Sequence, residues 1–276
     1  MPPMSARRLA ALAVVVGLAA PATAPAATPT RVIGTGTARS CTSAAVVAAV
    51  RAGGQIDFSC GPGPVTIRMG ATAKVLNTRR EVVIDGGGRI TLSGAGKRRI
   101  LYMDTCDRAQ RFTTSHCQDQ ATPRLTVRNL TFTRGNSTGE DFDGGGGGAI
   151  FVRGGRLRIE HSTFVANRCD PEGPDRAIGH GANPARSGTP GGGSGGAIYN
   201  DGNRFALSIT GSRLTGDHAN EGGGAIFFVS NDRTGTLAIA DSVLLRNPND
   251  GFHTAGLPGI YYLGAGRPAI DHSVLV

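Results

Sequence analysis

Apolar and polar positions alternate with period two over short stretches of this chain, and one such stretch keeps returning. It reads Leu125-Thr-Val-Arg-Asn-Leu-Thr-Phe132, then Leu157-Arg-Ile-Glu-His-Ser-Thr-Phe164. It comes back as Leu207-Ser-Ile-Thr-Gly-Ser-Arg-Leu214 and Leu237-Ala-Ile-Ala-Asp-Ser-Val-Leu244. A weaker copy runs from Pro268-Ala-Ile270 to Leu275, and a divergent earlier one is Val82-Val-Ile84. The starts lie 32, 50, 30 and 31 residues apart, and the long interval holds an insertion, roughly Cys169 to Gly191, rich in Pro, Gly and Arg. A second element follows in each unit: Gly147-Gly-Ala-Ile-Phe151, Gly195-Gly-Ala-Ile-Tyr199, Gly223-Gly-Ala-Ile-Phe227 and the degraded Pro258-Gly-Ile-Tyr261. Alternation at period two marks strands, and the glycines before them mark tight turns with positive φ.

A period near 30 built from short strands and glycine turns predicts stacked coils, because one coil cannot bury its own apolar side. Like residues then stack about 4.8 Å apart. Three inward ladders are expected: Leu125, Leu157, Leu207 and Leu237; Val127, Ile159, Ile209, Ile239 and Ile270; Phe132, Phe164, Leu214, Leu244 and Leu275. Ser162, Ser212, Ser242 and Ser273 should stack at a strand bend. Asn167, Asp217 and Asn247 share a turn, with Gly135 in the fourth copy; these residue types tolerate left-handed backbone and bond their own backbone. At the N-terminal end, Ser43 to Ala52 predicts a short apolar helix with Thr42 or Ser43 as N-cap, a lid over the first coil. At the other end the chain stops inside a repeat copy with no polar cap, so self-association through that edge, or an incomplete domain, is expected.

Composition narrows the class. Glycine contributes 43 residues and proline 15 of 276, without the every-third-residue glycine of collagen. Glycine at this density weakens helices by about 1 kcal/mol per site, so a helix-rich fold is excluded. The net charge of +9 suits an anionic partner. No zinc-finger spacing, aromatic-basic signature or basic helix points to nucleic acid. Arg7 and Arg8, the apolar run Leu9 to Ala20 and the Ala24-Pro25-Ala26 site make residues 1–27 a secretory signal peptide, leaving 28–276 as the folded domain. No later segment is a membrane-span candidate. Export allows disulfides: Cys41 with Cys60, which bracket a helix-then-strand unit (the N-terminal cap, 41–60), and Cys106 with Cys117, which bracket a polar loop. Other pairings are open, and this one leaves Cys169 over, for an intermolecular contact or a thiol.

The Gly-Gly-Ala-Ile-[Phe/Tyr] element with Phe164-Val-Ala-Asn167 resembles the polymorphic outer membrane protein repeat of right-handed parallel β-helix, pectin-lyase-like proteins. The stretch Cys41 to Cys60, with Ile84-Asp-Gly-Gly-Gly and Ile90-Thr-Leu-Ser-Gly, is similar to the start of secreted bacterial members. The resemblance spans about residues 41 to 276. It implies an all-β right-handed parallel β-helix with an N-terminal capping helix, in a group that includes adhesins, polysaccharide lyases and glycoside hydrolases.

A lyase needs a base near the sugar C5 proton and a cation, often calcium, at the uronate carboxylate. An inverting hydrolase needs two carboxyl groups about 6.5–9.5 Å apart. The acids in turns before the Gly-Gly-Ala-Ile strands are the catalytic candidates: Asp217, Glu221 and Asp250. Glu140, Asp141 and Asp143 could hold calcium through oxygen ligands; otherwise no cofactor is expected. No two acids appear aligned at one repeat position, as an enzyme of this fold would often show. His161 and His272 share a position with Asn129, Gly211 and Asp241, which reads as a surface turn. Phe151, Tyr199, Phe227 and Tyr261 share a position beside the isoleucines of their strands. If the isoleucines point inward, these four form an outward stripe suited to stacking on sugars; if the aromatics point inward, they are core, and Ala149, Ala197 and Ala225 on the aromatic side fit either case. The resulting expectation is a secreted or cell-surface, non-catalytic protein that binds an anionic polysaccharide or another envelope component. The alternative is a polysaccharide lyase or glycoside hydrolase acting on an anionic polysaccharide.

Overall fold

A computed structural model of the chain describes residues 29–110, 113–137, 146–169 and 193–276. The signal segment, Glu140, Asp141, Asp143 and residues 170–191 of the insertion lie outside the described residues. Among the described residues the strands form two sheets, one of 13 strands and one of six, and every pairing is parallel. Each repeat gives the short sheet one strand, as in Ile150–Arg153, Ile198–Gly202, Ile226–Ser230 and Ile260–Leu263. It then gives the long sheet two, as in Arg156–Glu160 with Thr163–Val165, and Ala206–Thr210 with Arg213–Thr215. Earlier, the same two passes are fused into the single strands Glu81–Ser93 and Arg124–Thr133.

The three ladders form in the expected register. Leu125, Leu157, Leu207 and Leu237 are successive partners. Ile56 and Ile84 extend the second ladder ahead of Val127, which continues through Ile159, Ile209, Ile239 and Ile270. Ile67 and Leu92 extend the third, ahead of Phe132, Phe164, Leu214, Leu244 and Leu275. All but the terminal Ile270 and Leu275 are buried. Phe132 and Phe164 stack with centroids 4.9 Å apart.

Two left-handed residues bend each pass through the long sheet. The first is Asn129, His161, Gly211, Asp241 or His272, with φ between 42° and 58°. That choice of residue is physical, since Asn, Asp, His and Gly adopt this conformation most readily. The serine that follows repairs the interrupted ladder. Ser162 N–H donates to Ser212 Oγ, Ser212 N–H to Ser242 Oγ and Ser242 N–H to Ser273 Oγ, each at 3.0 Å. The hydroxyls donate in turn to the carbonyl two residues back, such as Ser212 to Thr210 at 2.8 Å. The second bend corrects the expectation for Asn167, Asp217 and Asn247. The left-handed residues are their predecessors, Ala166, Gly216 and Arg246, and likewise Arg134 before Gly135. The Asn and Asp side chains bond the backbone of the preceding repeat instead of their own: Gly135 N–H donates to Asn167 Oδ1 at 2.8 Å and Asp217 N–H to Asn247 Oδ1 at 3.0 Å. A bend turns one N–H away from its ladder partner, and a buried N–H needs an acceptor.

The helix α1 (Ser43–Ala52) is capped by Thr42, whose side chain accepts from Ala45 N–H at 3.2 Å, and buries Val46, Ala49 and Val50 against the first strands. Both expected disulfides are present, Cys41–Cys60 and Cys106–Cys117, with Cα atoms 5.7 and 5.1 Å apart. Cys169 is buried; its Sγ contacts the Gly193 carbonyl and accepts from Asn220 N–H at 2.9 Å. Among the described residues no helix is long and apolar enough to cross a membrane.

Candidate functional site on the outer face of the short sheet

The isoleucines of the short-sheet strands, Ile150, Ile198, Ile226 and Ile260, lie in the main core. Alternation therefore sends the next residue to the opposite face. Lys74, Tyr102, Phe151, Tyr199, Phe227 and Tyr261 are successive partners there. The rings form a second, separate apolar cluster, stacked with centroids 5.4, 4.9, 5.0 and 5.1 Å apart from Tyr102 to Tyr261. Arg99, wholly buried, lies over the Phe151 ring at 4.7 Å and donates to the carbonyls of Gly146 and Gly147. The aromatic column is thereby tied to the glycine turn that starts its own strand.

The stripe is outward, as the alternation required, but it is not open along its length. Phe151 is 0%, Tyr199 1% and Phe227 5% exposed, while Tyr261 is half-buried. Among the described residues of the column, the ring with exposed surface is that of Tyr261. There Phe252, 43% exposed, meets Tyr261 edge to face at 4.8 Å. Together with Phe227, Asp201 and Asn231 they line a depression of about 240 Å³.

Two residues beyond the rings runs a charged column, Asp104, Arg153 and Asp201. This corrects the expectation that no two acids align: Asp104 and Asp201 share a repeat position, with Arg153 between them. Arg153 Nη1 lies 3.5 Å from Asp104 Oδ2 and its Nε 3.7 Å from Asp201 Oδ2. Burial pulls the Arg153 guanidinium down, but Asp104, Tyr199 and Asp201 outweigh it and hold it raised. Burial lifts the Asp201 carboxyl above the usual range, against Arg153 and the Asn231 amide. Burial and Asp201 push the Tyr199 hydroxyl well up. Asn231 Nδ2 donates to Asp201 at 2.9 Å and to Gln118 at 3.0 Å. The site thus joins a ring face to a buried acid that has an amide beside it.

Tyr102, Arg99 and the charged column were missed at the level of sequence. Leu101-Tyr-Met-Asp104 does match Ile150-Phe-Val-Arg153 and Ile198-Tyr-Asn-Asp201, but it lacks the preceding Gly-Gly-Ala. The catalytic candidates lie elsewhere. Asp217 is fully buried in the turn column. Asp250 is exposed, 3.2 Å from His218 Nε2. Glu221 accepts from Ser194 Oγ at 3.5 Å. Among the described residues no group of three His, Cys, Asp or Glu side chains could hold a metal ion. No family model, curated protein or solved structure matches the chain.

Proposed function

We propose that this chain is a secreted, non-catalytic repeat protein of the right-handed parallel β-helix type, related to proteins with polymorphic outer membrane protein repeats, and that it binds a polysaccharide of a cell surface or wall. Parallel register, a period near 30 residues and the signal-like first 27 residues support the fold and the destination. One observation carries the binding role: a continuous column of rings ends in an accessible Tyr261–Phe252 corner with Asp201 and Asn231 at its rim. A ring face takes the apolar side of a sugar, and the polar rim orients its hydroxyls. Binding to immobilised glycans by the purified protein tests the reading. Tyr261→Ala with Phe252→Ala should abolish retention while leaving the thermal transition in place; retention equal to the parent's would overturn it.

A carbohydrate-active enzyme is the second reading, favoured by the Asp104–Arg153–Asp201 column. Asp201 is raised toward the protonated form a general acid needs. Incubation with pectate, alginate and glycosaminoglycan, with and without calcium, would show new unsaturated product or reducing ends if this reading holds.

A further inference from the structure

The outer face of the long sheet carries a different surface. Its strands place Glu81, Arg124 and Arg156 in one outward column. Thr126, Arg158, Ser208 and Ala238 form the next column, and Arg128, Glu160, Thr210 and Ala240 the third. Three of the four arginines have acidic neighbours: Arg128 bonds Asp85 at 2.7 Å, Arg158 lies 3.4 Å from Glu160, and Glu81 stands opposite Arg124 without an ion pair between them. Arg124 and Arg156 are different. They stand directly opposite each other on neighbouring strands, neither has an ion pair among the described residues, and Arg156 Nη1 donates only to the Gly155 carbonyl at 2.9 Å. Like charges in that relation destabilise a sheet. Burial, and after it the Arg124 charge, lower the pKa of Arg156. Beside the arginines lies a depression of about 390 Å³, lined also by Glu81, Arg158, Thr126, Ala206 and Ser208. The next positions of the columns are the small residues Thr210, Ala238 and Ala240.

We propose that the Arg124–Arg156 pair is an anion clamp that holds carboxylates of an acidic polysaccharide lying across this face. The proposal rests on the polymer-binding reading above and gives that polymer a charge and a second point of contact. Guanidinium forks match a carboxylate bidentately. Such a group would offset the repulsion that the pair carries when empty. The small side chains next to the clamp leave room for an extended polymer, and the protein's net charge of +9 favours its approach.

The test uses the whole protein and three variants: Arg124→Gln/Arg156→Gln, the single Arg156→Gln, and Tyr261→Ala. The probes are alginate as the carboxylate polymer, polyphosphate, and a neutral glycan panel. The parent should bind alginate in a salt-sensitive manner. The double variant should lose about tenfold or more in affinity, and Arg156→Gln should fall in between. At low salt the double variant should melt no lower than the parent, because a repulsive pair has been removed. Undiminished alginate binding by the double variant overturns the clamp. So does binding of neutral glycans alone, or tighter binding of polyphosphate than of alginate; in these cases the general polymer-binding reading stands. Binding to no polymer removes both.

Discussion

Asp217 Oδ1 accepts two hydrogen bonds from Asn167, one from the backbone N–H at 2.8 Å and one from Nδ2 at 2.9 Å. The flanking members of the same column do one thing more. Asn167 Nδ2 donates to the Phe132 carbonyl at 3.2 Å, and Asn247 Nδ2 to the Leu214 carbonyl at 3.1 Å, each reaching back one coil. The equivalent carbonyl for Asp217 is that of Phe164, and an ionised carboxylate has no proton to offer it. Its Oδ2 is buried without a hydrogen-bond partner among the described residues. Burial raises this carboxyl to about 7, even though the two bonds from Asn167 pull it down.

The folded-state pKa of Asp217 therefore lies above its value in the unfolded chain. Between about 4 and 7 the folded form holds a proton that the unfolded form has lost, so stability must fall as pH rises through this window. A shift of this size corresponds to up to about 4 kcal/mol. Asp217→Asn supplies a permanent N–H in the same shape. Its melting temperature should exceed the parent's at pH 8 and match it near pH 4. Thermal melts of both proteins across that range check this; parallel curves would refute the assignment.

Asn200 is another residue whose buried polar atoms find no hydrogen-bond partner among the described residues. Its neighbours in register are Val152 and Phe228, both buried. Both of its amide atoms are buried without a partner among the described residues. Replacing an unsatisfied polar group by an apolar one of similar size should stabilise by about 1–3 kcal/mol. Asn200→Leu should raise the denaturant midpoint without changing its slope, and a lowered midpoint would mean the amide has a partner.

The interior was more legible in the sequence than the surface, for a physical reason. A ladder residue meets its own equivalent one repeat away, so repetition alone predicts the contact between Ile159 and Ile209, or between Ser212 and Ser242. The aromatic column follows the same rule, but which of the two strand faces turns inward is open in the sequence, and the isoleucines in the main core decide it. The burial of its rings is not legible there either. What covers an outward ring is a non-repeating neighbour such as Arg99, which the period does not announce. The same limit hid the difference between Asp217 and Asn167. They look interchangeable as turn residues, and only burial makes the missing amide proton matter.

The Cys106–Cys117 loop shows how such non-repeating pieces act. Its C-terminal flank bonds successive repeats: the Gln120 carbonyl accepts from Gly155 N–H at 3.0 Å, the Gln118 carbonyl from Asn203 N–H at 3.0 Å, and the Gln118 side chain from Asn231 at 3.0 Å. Three successive repeats are thus tied to one short segment, next to Asp201. Cys106→Ser/Cys117→Ser should cost up to about 3 kcal/mol. Amide exchange should accelerate first at Gly155 and Asn203, with Ile159 and Ile209 still protected. Uniform acceleration across the molecule would instead show that the loop belongs to the global unfolding unit.

Two glycines separate what a turn needs from what stacking needs. Gly195 opens a Gly-Gly-Ala-Ile element at φ 69°, and a Cβ there would come within 2.3 Å of the Ile198 carbonyl oxygen and 3.1 Å of Phe227 Cβ. Gly216 sits at φ 64° in the second bend, with nothing within 4 Å of a Cβ. Its counterpart one coil earlier is Ala166, which already holds φ 53°. Gly216→Ala should therefore cost only the left-handed penalty, about 1–2 kcal/mol. Gly195→Ala should cost that plus about 1–3 kcal/mol of overpacking, because the carbonyl it meets is ladder backbone that cannot step aside. It should also displace Phe227 and weaken glycan binding at the Tyr261 corner, which Gly216→Ala leaves alone. Equal stability losses for the two variants would show that conformation alone fixes both glycines.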